Sequence, residues 1–117
     1  MKELTWEEVS RMITEKIKIG TDIPKPGGGS RQVTRIDGER IYQRTGVTTD
    51  AEKYINKRMI KHAFIKINFG EKFISDDLAL NFPNDYRQGD CVFSMTGGIL
   101  EYLGIAEYHI GGYVKKT

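Results

Sequence analysis

The sequence predicts an α+β fold, and three observations carry that expectation. The chain opens with a helix-start signal followed by a one-sided apolar stripe. An Asp37-Gly38 pair then sits between two alternating segments, the strongest short hairpin signal. Beyond residue 57, apolar residues recur at helical spacing, and the chain closes on two short alternating runs about Gly111-Gly112.

The first helix starts at Thr5, whose hydroxyl can cap the backbone, with Glu8 at the spacing of a capping box. Leu4 and Val9 have the spacing of a hydrophobic staple around that cap. Val9, Met12, Ile13, Ile17 and Ile19 form the apolar stripe, and Gly20 is the stop. Residues 20–30, GTDIPKPGGGS, read as a linker or loop: prolines extend the backbone and glycines loosen it. A phosphate-cradling loop would need Lys-Ser/Thr and a helix after the glycines, whereas Ser30-Arg31 leads into a strand.

Residues 31–44 read as a β-hairpin. A two-residue loop puts Arg31, Val33, Arg35, Arg40, Tyr42 and Arg44 on one face, and Gln32, Thr34, Ile36, Ile41 and Gln43 on the other. Residues 46–49 read as a turn. Thr49 and Glu52 have capping-box spacing, Asn56 competes as the cap, and Tyr54-Ile55 reads alternatively as the end of an extended piece. A helix over 57–68 buries Met59, Ile60, Ala63, Phe64 and Ile67 and leaves Lys57, Arg58 and Lys61 outside the stripe. After Gly70, Ser75 caps a short helix with Asp76 and Asp77 in its first turn, where the helix dipole favours them. Pro83 ends it, and 84–89 reads as a loop. The helix over 90–103 turns Val92, Met95, Ile99, Leu100 and Leu103 inward. Gly97-Gly98 inside it costs about 1 kcal/mol per glycine against alanine, which points to close approach of another backbone or to a helix that begins only after Phe93. Strands at 105–109 and 113–115 form the closing hairpin.

At 117 residues and 13.4 kDa the chain is one domain in length, enough to bury a core without disulfides. The reading is an N-terminal helix-plus-hairpin extension over 1–50 and a second unit over 51–117. With 38% hydrophobic and 29% charged residues, it reads as a soluble globular chain. Cys91 is the one cysteine, which excludes an internal disulfide framework, and His62 and His109 lie too far apart for metal-ligand spacing. No apolar run approaches the roughly 20 residues of a membrane span, and the charged N-terminus does not read as a signal peptide. A cytoplasmic location is expected, with no membrane partner, no metal and no cofactor.

Eighteen basic and sixteen acidic residues nearly balance, but unevenly along the chain. Residues 51–75 carry six basic and two acidic side chains; 76–107 carry Arg87 alone against six acidic ones; Lys115 and Lys116 end the chain. Such separation fits faces with different partners or association of unlike faces, so a homodimer is expected.

The arginine face of the hairpin is the leading candidate site. Arg31, Arg35, Arg40 and Arg44 can bind phosphates bidentately, and Tyr42 offers a stacking platform. Lys57, Arg58, Lys61 and Arg87 would add charge. The competing reading is a solvated outer face whose arginines pair with acidic residues. Cys91 reads as a buried structural thiol, and no nucleophile–base pair, metal cluster or cofactor fingerprint points to an enzyme.

The string Gly70-x-x-Phe73-x-Ser75-x-Asp77-Leu78, followed by Gly98-Ile99-Leu100-x-x-Leu103-Gly104-Ile105-Ala106 and Gly111-Gly112-Tyr113, resembles the winged helix-turn-helix superfamily over residues 55–117. The resemblance implies DNA binding through the third helix, with Ser94 and Thr96 at bases and Lys115 and Lys116 on the wing. The acidic 84–103 region argues against a helix set among phosphates. The function expected is therefore a small nucleic-acid-binding protein, DNA before RNA, acting as a regulator or a phage or mobile-element accessory factor through its basic hairpin and helix. The alternative is a protein-interaction module, an adaptor or inhibitor, that uses the acidic segment.

Overall fold

The computed structural model describes residues 3–45 and 51–116. Helix α1 (Trp6–Lys16) begins at the expected cap, the Glu8 backbone N–H donating to Thr5 Oγ1 at 3.2 Å. It ends at Lys16, ahead of Gly20. Ile17 is therefore buried as the C-cap, while Ile19 is 68% exposed and leaves the expected stripe.

The linker expected over 20–30 is a strand and a turn. Strand β1 (Asp22–Pro24) pairs antiparallel with β2 (Ser30–Asp37). Ile23 is the physical reason: it is buried in the core, and Pro24 is tolerated because β1 is a sheet edge. Gly27, Gly28 and Gly29 all take positive φ in the turn between the strands. Strand β3 (Arg40–Arg44) completes the expected hairpin with its turn shifted by one residue. Asp37 pairs with Arg40, so Gly38-Glu39 is the loop, and Gly38 at φ 60° suits the first position of a II′ turn.

Strand β4 (Glu52–Asn56) extends the sheet to four antiparallel strands in chain order. The turn at 46–49, with Thr49, lies outside the described residues. The competing cap operates: Asn56 Oδ1 accepts from the Met59 backbone N–H at 3.0 Å and starts α2 (Lys57–Asn68) directly from the strand. Helix α2 buries Met59, Ile60, Ala63, Phe64 and Ile67, the stripe read from the sequence. In α3 (Ser75–Asn81), Ser75 is the first helical residue rather than the cap. Asp77 fastens this end instead, its Oδ2 accepting from the Ile74 N–H at 2.8 Å and its Oδ1 from Lys66 Nζ at 2.6 Å. A helical turn, α4 (Pro83–Tyr86), replaces the start of the expected loop, with Pro83 at a position that needs no N–H partner.

Helix α5 (Cys91–Tyr102) lies at the centre of the molecule, with eight of its twelve residues buried. A Cβ on Gly98 would stand 2.7 Å from the Pro24 carbonyl oxygen, and one on Gly97 would stand 2.2 Å from the Tyr113 ring. The two glycines thus admit the β1 backbone on one side and an aromatic ring on the other. Ile23, Val33, Ile41 and Ile55 from the sheet join Ile13, Ile17, Met95 and Ile99 in a single core. Strands β5 (Ala106–His109) and β6 (Gly112–Lys115) close the chain as a hairpin turning at Ile110-Gly111, and Phe73 bridges to Tyr113 beside it. No helix among the described residues is long and apolar enough to cross a membrane.

Candidate nucleic-acid interface

A β-bulge decides which side chains of β2 share a face. Val33 pairs with Gln43, but Arg35 pairs with Tyr42, leaving Thr34 as the extra residue. The alternation resets there. Val33 is fully buried on the inner face, and Arg31 goes with it, its Nη1 donating to Ser94 Oγ on α5 at 2.9 Å. Strict alternation would keep Arg31, Val33 and Arg35 on one face; the bulge separates Arg35 from the other two. Arg31 is thereby a tie between sheet and helix and no part of the outer surface. Gln43, expected beside Thr34, instead shares the inner face with Val33.

Arg35, Arg40, Tyr42 and Arg44 remain together on the outer face, joined by Tyr54, which pairs with Tyr42 from β4. The two tyrosine rings lie 5.6 Å apart, tilted by 51°. Arg35 Cζ sits 3.9 Å over the Tyr42 ring, and Arg40 Cζ sits 4.1 Å over the Tyr54 ring. The result is two arginine-capped tyrosines side by side, each pair a cation–π contact. Arg40 Nη1 also donates to Tyr42 Oη at 3.5 Å, and this bond, with the neighbouring phenols, raises the Arg40 pKa above its ordinary value.

Two acidic groups fasten this face at its margins. Glu52 accepts from Thr34 Oγ1 at 2.6 Å and from Arg35 Nη2 at 3.4 Å. Asp85 accepts from Tyr54 Oη at 3.0 Å. Desolvation first, then the Asp85 hydrogen bond and charge, push the Tyr54 pKa up, so its hydroxyl stays a neutral donor. Among the described residues Arg35 alone of this face makes an ion pair; Arg40 and Arg44 make none, although the charge of Asp85 acts on Arg40. Gln88 hydrogen-bonds both backbone groups of Tyr54, at 2.9 and 2.8 Å, and so covers the exposed edge of β4.

A second group of basic residues gathers near the turn of the hairpin. Arg40 pairs with Asn56, and the Lys57 N–H donates to Glu39 O at 3.0 Å, which brings the start of α2 against the hairpin end. There Lys57, Arg58 and Lys61 line a cleft of about 290 Å³ with Trp6, Ser10 and Glu39. Arg87 is exposed just beyond α4, beside Gln88.

The other expected residues lie elsewhere. Ser94 and Thr96 are buried, Ser94 engaged by Arg31 and Thr96 Oγ1 donating to Val92 O at 2.8 Å. Neither presents a surface to a base. Lys115 and Lys116 line a separate cleft with Leu4, Met12, Phe64 and Leu103. Tyr54, Glu52 and Asp85 belong to this surface and Trp6 to the neighbouring cleft, but none is a candidate from the sequence, which leaves 49–56 open between a helix start and an extended end. Had 52–56 been taken as a strand, alternation would have set Tyr54 beside Tyr42. No family model, curated protein or solved structure matches this chain.

Proposed function

We propose that this protein binds single-stranded nucleic acid on the outer face of its four-stranded sheet, with DNA the first substrate to test. The observation that carries the reading is the pair of arginine-capped tyrosines, Arg35 on Tyr42 and Arg40 on Tyr54. A guanidinium seated over a ring can offer its free side to an unstacked base and its N–H groups to the adjacent phosphate. Arg44, Lys57, Arg58, Lys61 and Arg87 extend the positive track.

The order α2, Phe73 bridge, α3, α5 and closing hairpin supports a winged helix-turn-helix reading of the second half. In that reading α5 occupies the place of the recognition helix. Its enclosure between β1 and Tyr113 argues that the sheet face, and not α5, meets the ligand. A duplex groove would require an exposed helix or strand of matching width; unpaired bases require only rings and charge.

The test is fluorescence anisotropy with random single- and double-stranded DNA at two salt concentrations. Single strands are expected to bind first, with an affinity falling by a slope of about 0.7 per phosphate neutralised. A preference for duplex, or no binding at low salt, would sink the reading. Absence of binding would move the assignment to a protein-interaction module, which Ile65 and Phe69 favour: they stand four residues apart along α2, 42% and 80% exposed. The acidic segment serves that alternative less well, because Asp77 is held by Lys66 and Asp85 by Tyr54.

A further inference from the structure

On the inner side of the sheet a second polar group lies outside the nucleic-acid face. Lys53 Nζ donates to Cys91 Sγ at 3.2 Å, joining β4 to the first residue of α5. Cys91 is a free thiol and half-buried, so it is not sealed in the core. Gln43 stands directly across from Lys53 in strand register, on the same face. It is fully buried, and neither its Oε1 nor its Nε2 has a hydrogen-bond partner among the described residues. Beneath α5, then, a thiol, an amine in contact with it, and an amide with unused donor and acceptor capacity stand together. Packing does not account for the amide: an apolar residue at 43 would fill the same place without an unmet polar group.

We propose that Cys91 is a peroxide-modified site at which Lys53 captures the oxidised sulfur as a covalent link between β4 and α5. Hydrogen peroxide is the oxidant. The Cys91 sulfur attacks one peroxide oxygen, the O–O bond breaks, and the thiol becomes a sulfenic acid while the other oxygen leaves as water. Lys53, having released its third ammonium proton to solvent, then attacks the sulfur through nitrogen. The S–N bond forms, the S–O bond breaks, and the hydroxyl leaves as water with a proton from that nitrogen. The product is a sulfenamide, lighter than the starting protein by two hydrogens. Gln43, across the strand from Lys53, is the nearest buried amide in strand register with hydrogen-bonding capacity to spare. Reducing thiols return the pair to amine and thiol.

The experiment treats the whole folded protein with hydrogen peroxide and reads intact mass and digested peptides. The expected result is a loss of two hydrogens, a cross-linked peptide joining Lys53 to Cys91, and recovery of the original mass with dithiothreitol. Lys53→Arg should abolish the link and leave a sulfenic acid that dimedone traps; Cys91→Ser should show neither. Conversion of wild-type Cys91 to sulfinic acid or to an intermolecular disulfide, with Lys53 unlinked, overturns the proposal, as does an unmodified Cys91.

Discussion

Arg35 stands across from Tyr42 in the sheet, its guanidinium carbon 3.9 Å above the ring centre. That relationship exists because Thr34 is extruded at the bulge; without the extra residue, Arg35 would follow Val33 into the core. Arg35 is thus held on the binding face by backbone geometry, while its head remains 52% exposed. Reversal of Arg35 and Arg44 together to Glu is expected to abolish nucleic-acid binding. The salt slope should fall with it, by about 0.7 for each phosphate contact removed. The fold should survive, because an exposed ion pair such as Arg35–Glu52 is worth at most about 1 kcal/mol. Anisotropy titration with a circular-dichroism melt checks both parts, and unchanged affinity and slope would refute the assignment of this face.

Tyr54 separates stacking from hydrogen bonding. Its hydroxyl is committed to Asp85 and its ring to Arg40 and Tyr42. Tyr54→Phe keeps the ring and should leave single-strand affinity close to wild type. Tyr54→Ala removes the ring on which Arg40 sits and should weaken binding by about 1–3 kcal/mol, the range for loss of one base-stacking group. Equal losses in the two variants would mean that the hydroxyl, and not the ring, carries the interaction.

The sequence made the helices legible and hid the faces of the sheet. The stripe of α2, and that of α1 as far as Ile17, appear at the expected positions because a 3.6-residue period survives small errors in the ends. A strand does not tolerate such errors. One extruded residue, Thr34, moved Arg31 and Val33 to the opposite face from Arg35, and no local propensity marks a threonine as a bulge. Strand β1 was hidden because two prolines and three glycines surround the single informative residue, Ile23, whose burial depends on α5 arriving from far along the chain. Tyr54 was hidden by a competing helix-start signal at Thr49 and Glu52. By contrast, of the two explanations that Gly97-Gly98 offered, close approach of another backbone holds at Gly98, while Gly97 admits the Tyr113 ring and the helix begins before Phe93.

Gly98 offers a direct test of that packing. A Cβ there would meet Pro24 O at 2.7 Å and Ile23 Cγ2 at 2.8 Å. Alanine gains about 1 kcal/mol in helix propensity, but forcing a methyl into a filled core costs about 1–3 kcal/mol. The near atom is backbone, so relief requires β1 to move. Gly98→Ala should therefore lower the urea midpoint at an unchanged denaturant slope, with a net loss of up to about 2 kcal/mol. Stabilisation by this variant would show that β1 yields freely.

Tyr113 gives the alkaline limit of stability. It is fully buried among Phe73, Phe93 and Tyr108, and its hydroxyl donates to Ser94 O at 3.4 Å. Burial, with Glu101 as the next cause, raises its pKa well above the ordinary tyrosine value. In the unfolded chain the phenol ionises near pH 10, whereas the folded protein keeps the proton above that pH. Below about pH 10 both states are protonated and the group imposes no pH dependence. Above it the unfolded state holds fewer protons, so stability falls as pH rises toward the folded-state value. Denaturant titrations between pH 7 and about pH 11 should show this decline. Tyr113→Phe should flatten it, after losing about 1 kcal/mol at neutral pH for the missing hydrogen bond. Tyr54 and Tyr86, whose pKa values are also raised by desolvation, should retain a smaller slope in that variant. An alkaline decline identical in Tyr113→Phe and wild type would place the sensitive group elsewhere.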